Sequence, residues 1–263
     1  MRALTSNDIF FMNIPNGFYY RDSDHSYFFD GKRMTGVTTI LGVLAKPALI
    51  GWAARMTGEY ISEECDWVKE DVADGNNGYF KVFNSDIDKA TKAYAAIRDT
   101  RAEEGTDVHA LAEEYIKTCI EHGGDAHSAG GGDSPAIQAF AGWAQENDIK
   151  FLASELKLYS KSMFLAGTAD FLFEKDGKRY VGDIKNKKAI WSREPFFQCA
   201  GYSIMAEEMG EKPFDGYCVV RLWEKDIEVL WSFDVKGDRE AFKSCVTLYR
   251  SLANFKKPVW KQK

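Results

Sequence analysis

Asp176-Gly177 divides the stretch from Gly167 to Lys188 into two apolar, β-prone runs. Asp-Gly suits a two-residue type I′ hairpin turn, in which both central residues take positive φ. A turn of that length dictates the pairing of both strands. Lys175 faces Lys178, and counting back along both runs sets Asp170 directly opposite Asp183. Lys185 follows Asp183 by two residues and projects from the same face, because side chains alternate along a strand. Opposed residues hold their Cβ atoms about 4.5–5.5 Å apart. Two carboxylates at that spacing repel unless a cation or a proton lies between them. The same register sends Phe171, Phe173, Gly182 and Ile184 to the other face, into a core. Two acids with a lysine alongside suit a divalent-metal site. An exposed hairpin face of mixed charge is the alternative reading.

The chain has 263 residues, 45% of them hydrophobic and 14% aromatic. That is enough for one large domain, or for a core with an appended subdomain. No apolar run approaches the roughly 18 residues of a membrane span. The first residues, MRALTSNDIFFMN, lack the basic and long apolar segments of a signal peptide, so the expectation is an intracellular, cytoplasmic protein with no membrane partner. The five cysteines (Cys65, Cys119, Cys199, Cys218, Cys245) are widely spaced and contain no CxxC. This argues against a disulfide framework or a zinc knuckle and for small buried side chains.

Net charge is −6, but it is unevenly spread. Residues 1–150 carry 14 Lys and Arg against 24 Asp and Glu, whereas residues 151–263 carry 20 against 16. The half containing the acid–lysine hairpin is the basic half. Local field, not total charge, steers a polyanion.

Secondary structure follows from periodicity. Residues 17–42 read as a β-hairpin with a further turn at Asp30-Gly31, then a helix start. Pro47 opens a helix to about Ile61. Residues 86–121 read as one long helix or two short ones, and residues 121–135 as a flexible connection. Ser134-Pro135 caps the next helix. Phe151–Tyr159 alternates as a strand before the Asp-Gly hairpin. A helix from Ser192 or Glu194 ends at Gly210, a strand pair surrounds Glu224–Asp226, and a closing helix spans Asp238 to about Asn254. The fold class expected is α/β (α+β): a mixed central sheet flanked by helices. Two parts are expected, integrated as one globular unit: 1–150, hairpin and helices including the His109 helix, and 151–263, the core.

Several short patterns occur in a characteristic order. Gly167-Thr168-Ala169-Asp170 forms GxxD, and Asp183-Ile184-Lys185 forms DxK. Gln198 to Tyr202 forms QxxxY, Gly105 to His109 forms GxxxH, and Glu155 lies on the strand before GxxD. Over residues 105–202 this set resembles the PD-(D/E)XK nuclease superfamily, in its RecB-like exonuclease branch, which includes phage exonucleases and the mitochondrial genome maintenance exonuclease. The resemblance implies a restriction-endonuclease-like core and a metal-dependent deoxyribonuclease. Its action would be exonucleolytic, on single-stranded DNA ends, in repair, recombination or replication. It implies Asp170, Asp183, Lys185 and Glu155 as catalytic residues. It also implies His109, Asp170, Asp183 and the Ile184 carbonyl as ligands of one or two Mg²⁺ or Mn²⁺ ions, for which hard oxygen donors are suited. Gln198 and Tyr202, four residues apart on one helix face, would contact DNA or order Lys185.

Lys187, Lys188 and Trp191 extend this surface. Lysines there would contact phosphate and the tryptophan would stack on a base, with a solvated turn and core packing as the plainer readings. Glu155 would bind metal or pair with Lys185. Glu113, one turn beyond His109, would orient it or simply face solvent. A loop at Gly75–Gly78 with Tyr79, Phe80 and Phe83 would form a lid or strand-separating wedge. The competing readings are an inactive DNA-binding or interaction module of a recombination complex, and a structure-selective endonuclease. No GxxxxGK[ST] motor motif occurs, and the scattered cysteines do not suit an iron–sulfur cluster.

Overall fold

The structure is a computed structural model that describes residues 17–44, 47–64, 68–70, 79–81 and 84–254. The Gly75–Gly78 loop, Phe83 and the side chains of Tyr79 and Phe80 lie outside what is described. The chain forms two compact units, Met1–Leu44 with Asp107–Lys263, and Ala45–Thr106. Residues on both sides of position 150 therefore belong to the first unit.

The elements follow the expected order. β1 (Phe18–Arg21), β2 (Ser26–Phe29) and β3 (Lys32–Arg33) make a small antiparallel sheet, and β4 (Thr35–Gly36) leads into α1 (Val37–Leu41). α2 (Pro47–Glu63) and an antiparallel pair, β5 (Val68–Glu70) with β6 (Tyr79–Lys81), belong to the second unit. α3 (Asn84–Glu121) is a single helix rather than two. α4 (Pro135–Glu146), β7 (Lys150–Ser160), β8 (Leu165–Lys175), β9 (Lys178–Asn186), α5 (Glu194–Glu208), β10 (Gly216–Trp223), β11 (Asp226–Ser232) and α6 (Val235–Ala253) complete the chain.

The central sheet is mixed. Its order is β11-β10-β9-β8-β4, with β7 also paired to β8. β10 runs parallel to β9, and β4 parallel to β8; the other pairs are antiparallel. Asp176 and Gly177 take φ of 53° and 72°, as a type I′ turn demands, and Lys175 pairs with Lys178. From Lys175↔Lys178 to Phe171↔Gly182 the register is the one read from the sequence; Asp170 and Asp183 lie one residue beyond the last pair.

Each face of the sheet buries a core. On one, Phe171, Phe173 and Ile184 pack with Tyr115 and Ile116 of α3 and with Ile137 and Phe140 of α4. Gly182 leaves room there: a Cβ at this position would overlap the Phe171 ring. On the other, Leu172, Val181 and Val219 pack under α1, α5 and α6 through Ile40, Met205 and Phe242. Fully burying one such side chain contributes roughly 1.5–3 kcal/mol.

Three local expectations need correction. The Gly-rich connection after α3 is tied down, not loose. Gly124 N–H donates to Cys119 O at 2.8 Å, Phe151 N–H to Gly124 O at 2.8 Å, and Tyr115 Oη to Ala126 O at 2.9 Å. The start of β7 is a sheet edge, and this segment satisfies its backbone groups. Ser134 occupies the N-cap of α4, but its side chain makes no capping bond. α6 starts at Val235, three residues early, because Asp234 caps it by accepting from Gly237 N–H at 3.0 Å.

Candidate active site

The site forms where the strands part. The β8–β9 ladder ends at Phe171↔Gly182, while β9 continues alongside β10 as far as Asn186↔Leu222. Asp170 and Asp183 are the next residues in register, at the mouth of this fork. There Asp170 Oδ2 accepts from Ile184 N–H at 2.7 Å, so a side chain takes over the role of the ladder bond. On the other flank, Ser154↔Phe171 and Leu156↔Ala169 set Glu155 across from Asp170. Asp170 is thus the middle of a row of three acids. Glu155 has φ of 48°, a left-handed conformation inside a strand. For a residue with a Cβ this costs of order 1–3 kcal/mol, and such strain concentrates at functional sites.

Charge is distributed asymmetrically along this row. Asp183 is fully buried. Its Oδ1 accepts from Lys185 Nζ at 2.7 Å; its Oδ2 lies 2.6 Å from the same ammonium but makes no hydrogen bond. Burial pushes the Asp183 carboxyl up to about 6, against the pull of Lys185 and with the repulsion of Asp170. Burial acts the same way on Asp170. There the hydrogen bond from His109 and the charge of Lys185 outweigh it and hold the group below the usual carboxylate range. Lys185 moves upward: burial disfavours its charge, but the two aspartates more than compensate. The pairing with the aspartates thus favours its ammonium form. Glu155 is raised, first by burial, with Asp170 and Glu113 adding to the effect. Two carboxyls with values pushed apart by different surroundings are a recurrent feature of catalytic sites.

α3 delivers His109 to the fork. Its Nε2 lies 2.8 Å from the Ile184 carbonyl and 3.5 Å from Asp170 Oδ2. A carbonyl only accepts, so this nitrogen carries the hydrogen in this arrangement. The carboxylates and the Ile184 carbonyl are the oxygen donors a hard cation takes, and the imidazole adds a softer nitrogen donor; Asp183 Oδ2 makes no hydrogen bond and is paired with the Lys185 ammonium at 2.6 Å. Oxygen donors of this kind are the type that Mg²⁺ or Mn²⁺ takes. Among the described residues, no three His, Cys, Asp or Glu side chains converge to hold an ion by themselves.

Other sequence candidates fall in two places. Glu155 pairs with Lys157, at 3.3 Å, not with Lys185. Glu113 pairs with Lys117 one turn on. Gln198 Nε2 donates to Tyr202 Oη at 2.8 Å, and Tyr202 is buried against Gly167, where a Cβ would approach its ring to 2.7 Å. This close approach explains the glycine of the GxxD pattern. Lys185 bonds to Asp183 rather than to the Gln198–Tyr202 pair. Lys187, Lys188 and Trp191 lie on the exposed loop between β9 and α5. Trp191 is 90% exposed, so it is not a core residue. The end of that loop is anchored by Arg193, which reaches Asp238 at 2.8 Å and Ser232 at 3.2 Å.

Sequence reasoning missed Lys157 and Thr168, which adjoin the acid row. Their signal was alternation: Lys157 lies two residues after Glu155, and Thr168 two before Asp170. Thr168 Oγ1 lies 2.6 Å from Tyr27 Oη, linking the small sheet to the fork.

No protein-family model matches the chain, and no curated protein matches it. Among solved structures it is similar to one titled "Crystal structure of SSO0001", at 13% identity and a TM-score of 0.27. The match covers 43% of this chain and 57% of that one, so the chain spans little more than half of that protein. A likeness of this size carries no argument about function. No helix among the described residues is long and apolar enough to cross a membrane.

Proposed function

We propose that the protein is a metal-dependent deoxyribonuclease of the PD-(D/E)XK kind, hydrolysing phosphodiester bonds at single-stranded DNA ends. The observation that supports it best is the fork itself. A sheet interrupted at Asp170 and Asp183 brings two acids, a backbone carbonyl, an imidazole and a lysine together where a regular ladder would have placed backbone bonds.

Asp170, Asp183, the Ile184 carbonyl and His109 are the groups that would hold Mg²⁺ or Mn²⁺. When bound, such an ion supplies Lewis-acid stabilisation of phosphate charge and activation of water. His109 would ligate only through a nitrogen free of hydrogen, and for Nε2 that requires giving up the bond to Ile184 O. Lys185, held as an ammonium by the two aspartates, orients the attacking water and stabilises the charge that grows on the phosphate oxygens. Gln198 and Tyr202 brace the strand carrying Asp170 through the Tyr202–Gly167 contact. End preference comes from the family resemblance alone.

The test uses end-labelled linear and circular single-stranded DNA with Mg²⁺, Mn²⁺ or EDTA, and the variant Lys185→Ala. Linear DNA should be degraded and circles spared, with activity abolished by EDTA and reduced about 10²-fold or more in the variant, the scale for losing one charge-stabilising group. Cleavage of circles would replace the exonuclease reading with an endonuclease. Binding without cleavage would mark an inactive module.

A further inference from the structure

A cavity of about 300 Å³ opens beside Glu155. Tyr20 and Tyr27 of the small sheet, Glu155 and Lys157 of β7, Thr168 of β8 and Tyr202 of α5 contribute to its lining. All belong to the first compact unit. Its volume is at the lower limit for a small-molecule site, room for one small ligand rather than for a duplex. Its polar groups are held in place. Tyr20 Oη lies 2.5 Å from His25 Nδ1, Tyr27 Oη lies 2.6 Å from Thr168 Oγ1, and Lys157 Nζ lies 3.3 Å from Glu155 Oε2. The Tyr20 and Tyr27 rings are 4.9 Å apart, and the Lys157 ammonium is 4.9 Å from the Tyr20 ring centre. The Tyr20 and Tyr27 rings thus meet the Lys157–Glu155 ion pair and the Thr168 hydroxyl around one opening.

Its position relative to the acid row is also defined. Glu155 belongs to both, and Thr168 precedes Asp170 by two residues on the same strand, about 6.6 Å along it. A ligand in the cavity therefore neighbours whatever is bound at Asp170. Aromatic faces receive bases of any sequence, and amines on a base edge match carboxylate and hydroxyl acceptors.

We propose that this cavity seats the terminal nucleoside of a DNA strand whose adjoining phosphodiester lies at Asp170 and Asp183. The proposal rests on the nuclease reading and adds a base-binding subsite to it. The N-terminal hairpin is then part of substrate selection, and Tyr20 and Lys157 are specificity residues rather than catalytic ones.

The experiment measures cleavage of the first bond in linear single strands whose terminal nucleoside is intact or abasic, at the 5′ end in one set and the 3′ end in another. The full chain is compared with Tyr20→Ala and Lys157→Ala. The wild type should cut about tenfold more slowly when the base is missing at one of the two ends, the scale of losing one base contact. Tyr20→Ala should slow the intact substrate by a similar factor and lose the distinction between intact and abasic ends. Lys157→Ala, a change on the facing strand, should narrow that distinction, so that poor folding of one variant does not decide the matter. Indifference of the wild type to the base at both ends would overturn the subsite while leaving the nuclease standing. An equal loss by both variants on intact and abasic substrates would do the same. Absence of any cleavage with Mg²⁺ or Mn²⁺ would overturn both.

Discussion

The Asp170–Asp183 pair is tolerable because neither carboxylate is left to repel the other alone. Asp170 is bonded to Ile184 N–H and faces His109, and Asp183 leans on Lys185. The same arrangement makes His109 the residue whose loss most directly reports on an ion. His109→Ala should weaken Mn²⁺ binding about 10–100-fold, within the range for loss of a coordinating or orienting group, as measured by calorimetric titration of the full chain. Unchanged affinity would remove His109 from the ligand set. Glu155 allows a separate test of strain. Glu155→Gly and Glu155→Ala both delete the carboxylate, but only glycine accepts φ of 48° without penalty. The glycine variant should therefore be more stable than the alanine variant by about 1 kcal/mol in chemical denaturation. In a relaxed strand the order would reverse, because glycine weakens strands.

At the scale of elements, the two strands of the fork depend on one close contact. Gly182→Ala would drive a methyl group into the Phe171 ring, and overpacking of this kind costs about 1–3 kcal/mol. The double variant with Phe171→Leu should recover part of that loss, and a cycle without coupling would show that the ring is not the obstacle. The turn between β7 and β8 is held by α5: Glu208 accepts from Ser160 Oγ at 2.6 Å and from Ser162 N–H at 3.0 Å. Burial raises the Glu208 carboxyl, but the Ser160 and Ser162 bonds outweigh it and hold it below its usual value. A carboxylate lowered by folding stabilises above its unfolded value and loses that contribution as pH falls through the folded one. The stability difference between wild type and Glu208→Gln should therefore be full at pH 7 and vanish in acid; a pH-independent difference would exclude the linkage. Much of this level was legible in the sequence, because Asp176-Gly177 transmits register by simple counting. Three things were not. The parting of β8 from β9 at the acids depends on β10 holding β9, a pairing with residues more than thirty positions away. The left-handed φ of Glu155 is another, because no glycine announces it. Tyr202 illustrates a third limit: the QxxxY spacing located the residue, but only packing against Gly167 showed it to be buried.

Across the whole molecule, charge and exposure bear on how a polyanion would be received. The net charge of −6 argues against general affinity for DNA, and the proposed binding would depend on a local surface. The loop after β9 is the strongest candidate within reach of the fork: Lys187 and Lys188 are exposed, Trp191 is almost entirely so, and Arg193 holds the end of the loop through Asp238 and Ser232. Each phosphate neutralised on a single strand contributes about −0.7 to the slope of log affinity against log salt, because counterions are released. Replacing Lys187 and Lys188 together by alanine should make that slope shallower by about 1.4 if each lysine meets one phosphate. Trp191→Ala should lower affinity at every salt concentration and leave the slope unchanged, since stacking releases no counterions. Measured by anisotropy of a labelled single strand in EDTA, where cleavage is suppressed, the two variants should separate cleanly. An unchanged slope in the double-lysine variant would place the path of the strand elsewhere on the molecule. A changed slope in Trp191→Ala would mean that the tryptophan holds the loop in place instead of meeting a base.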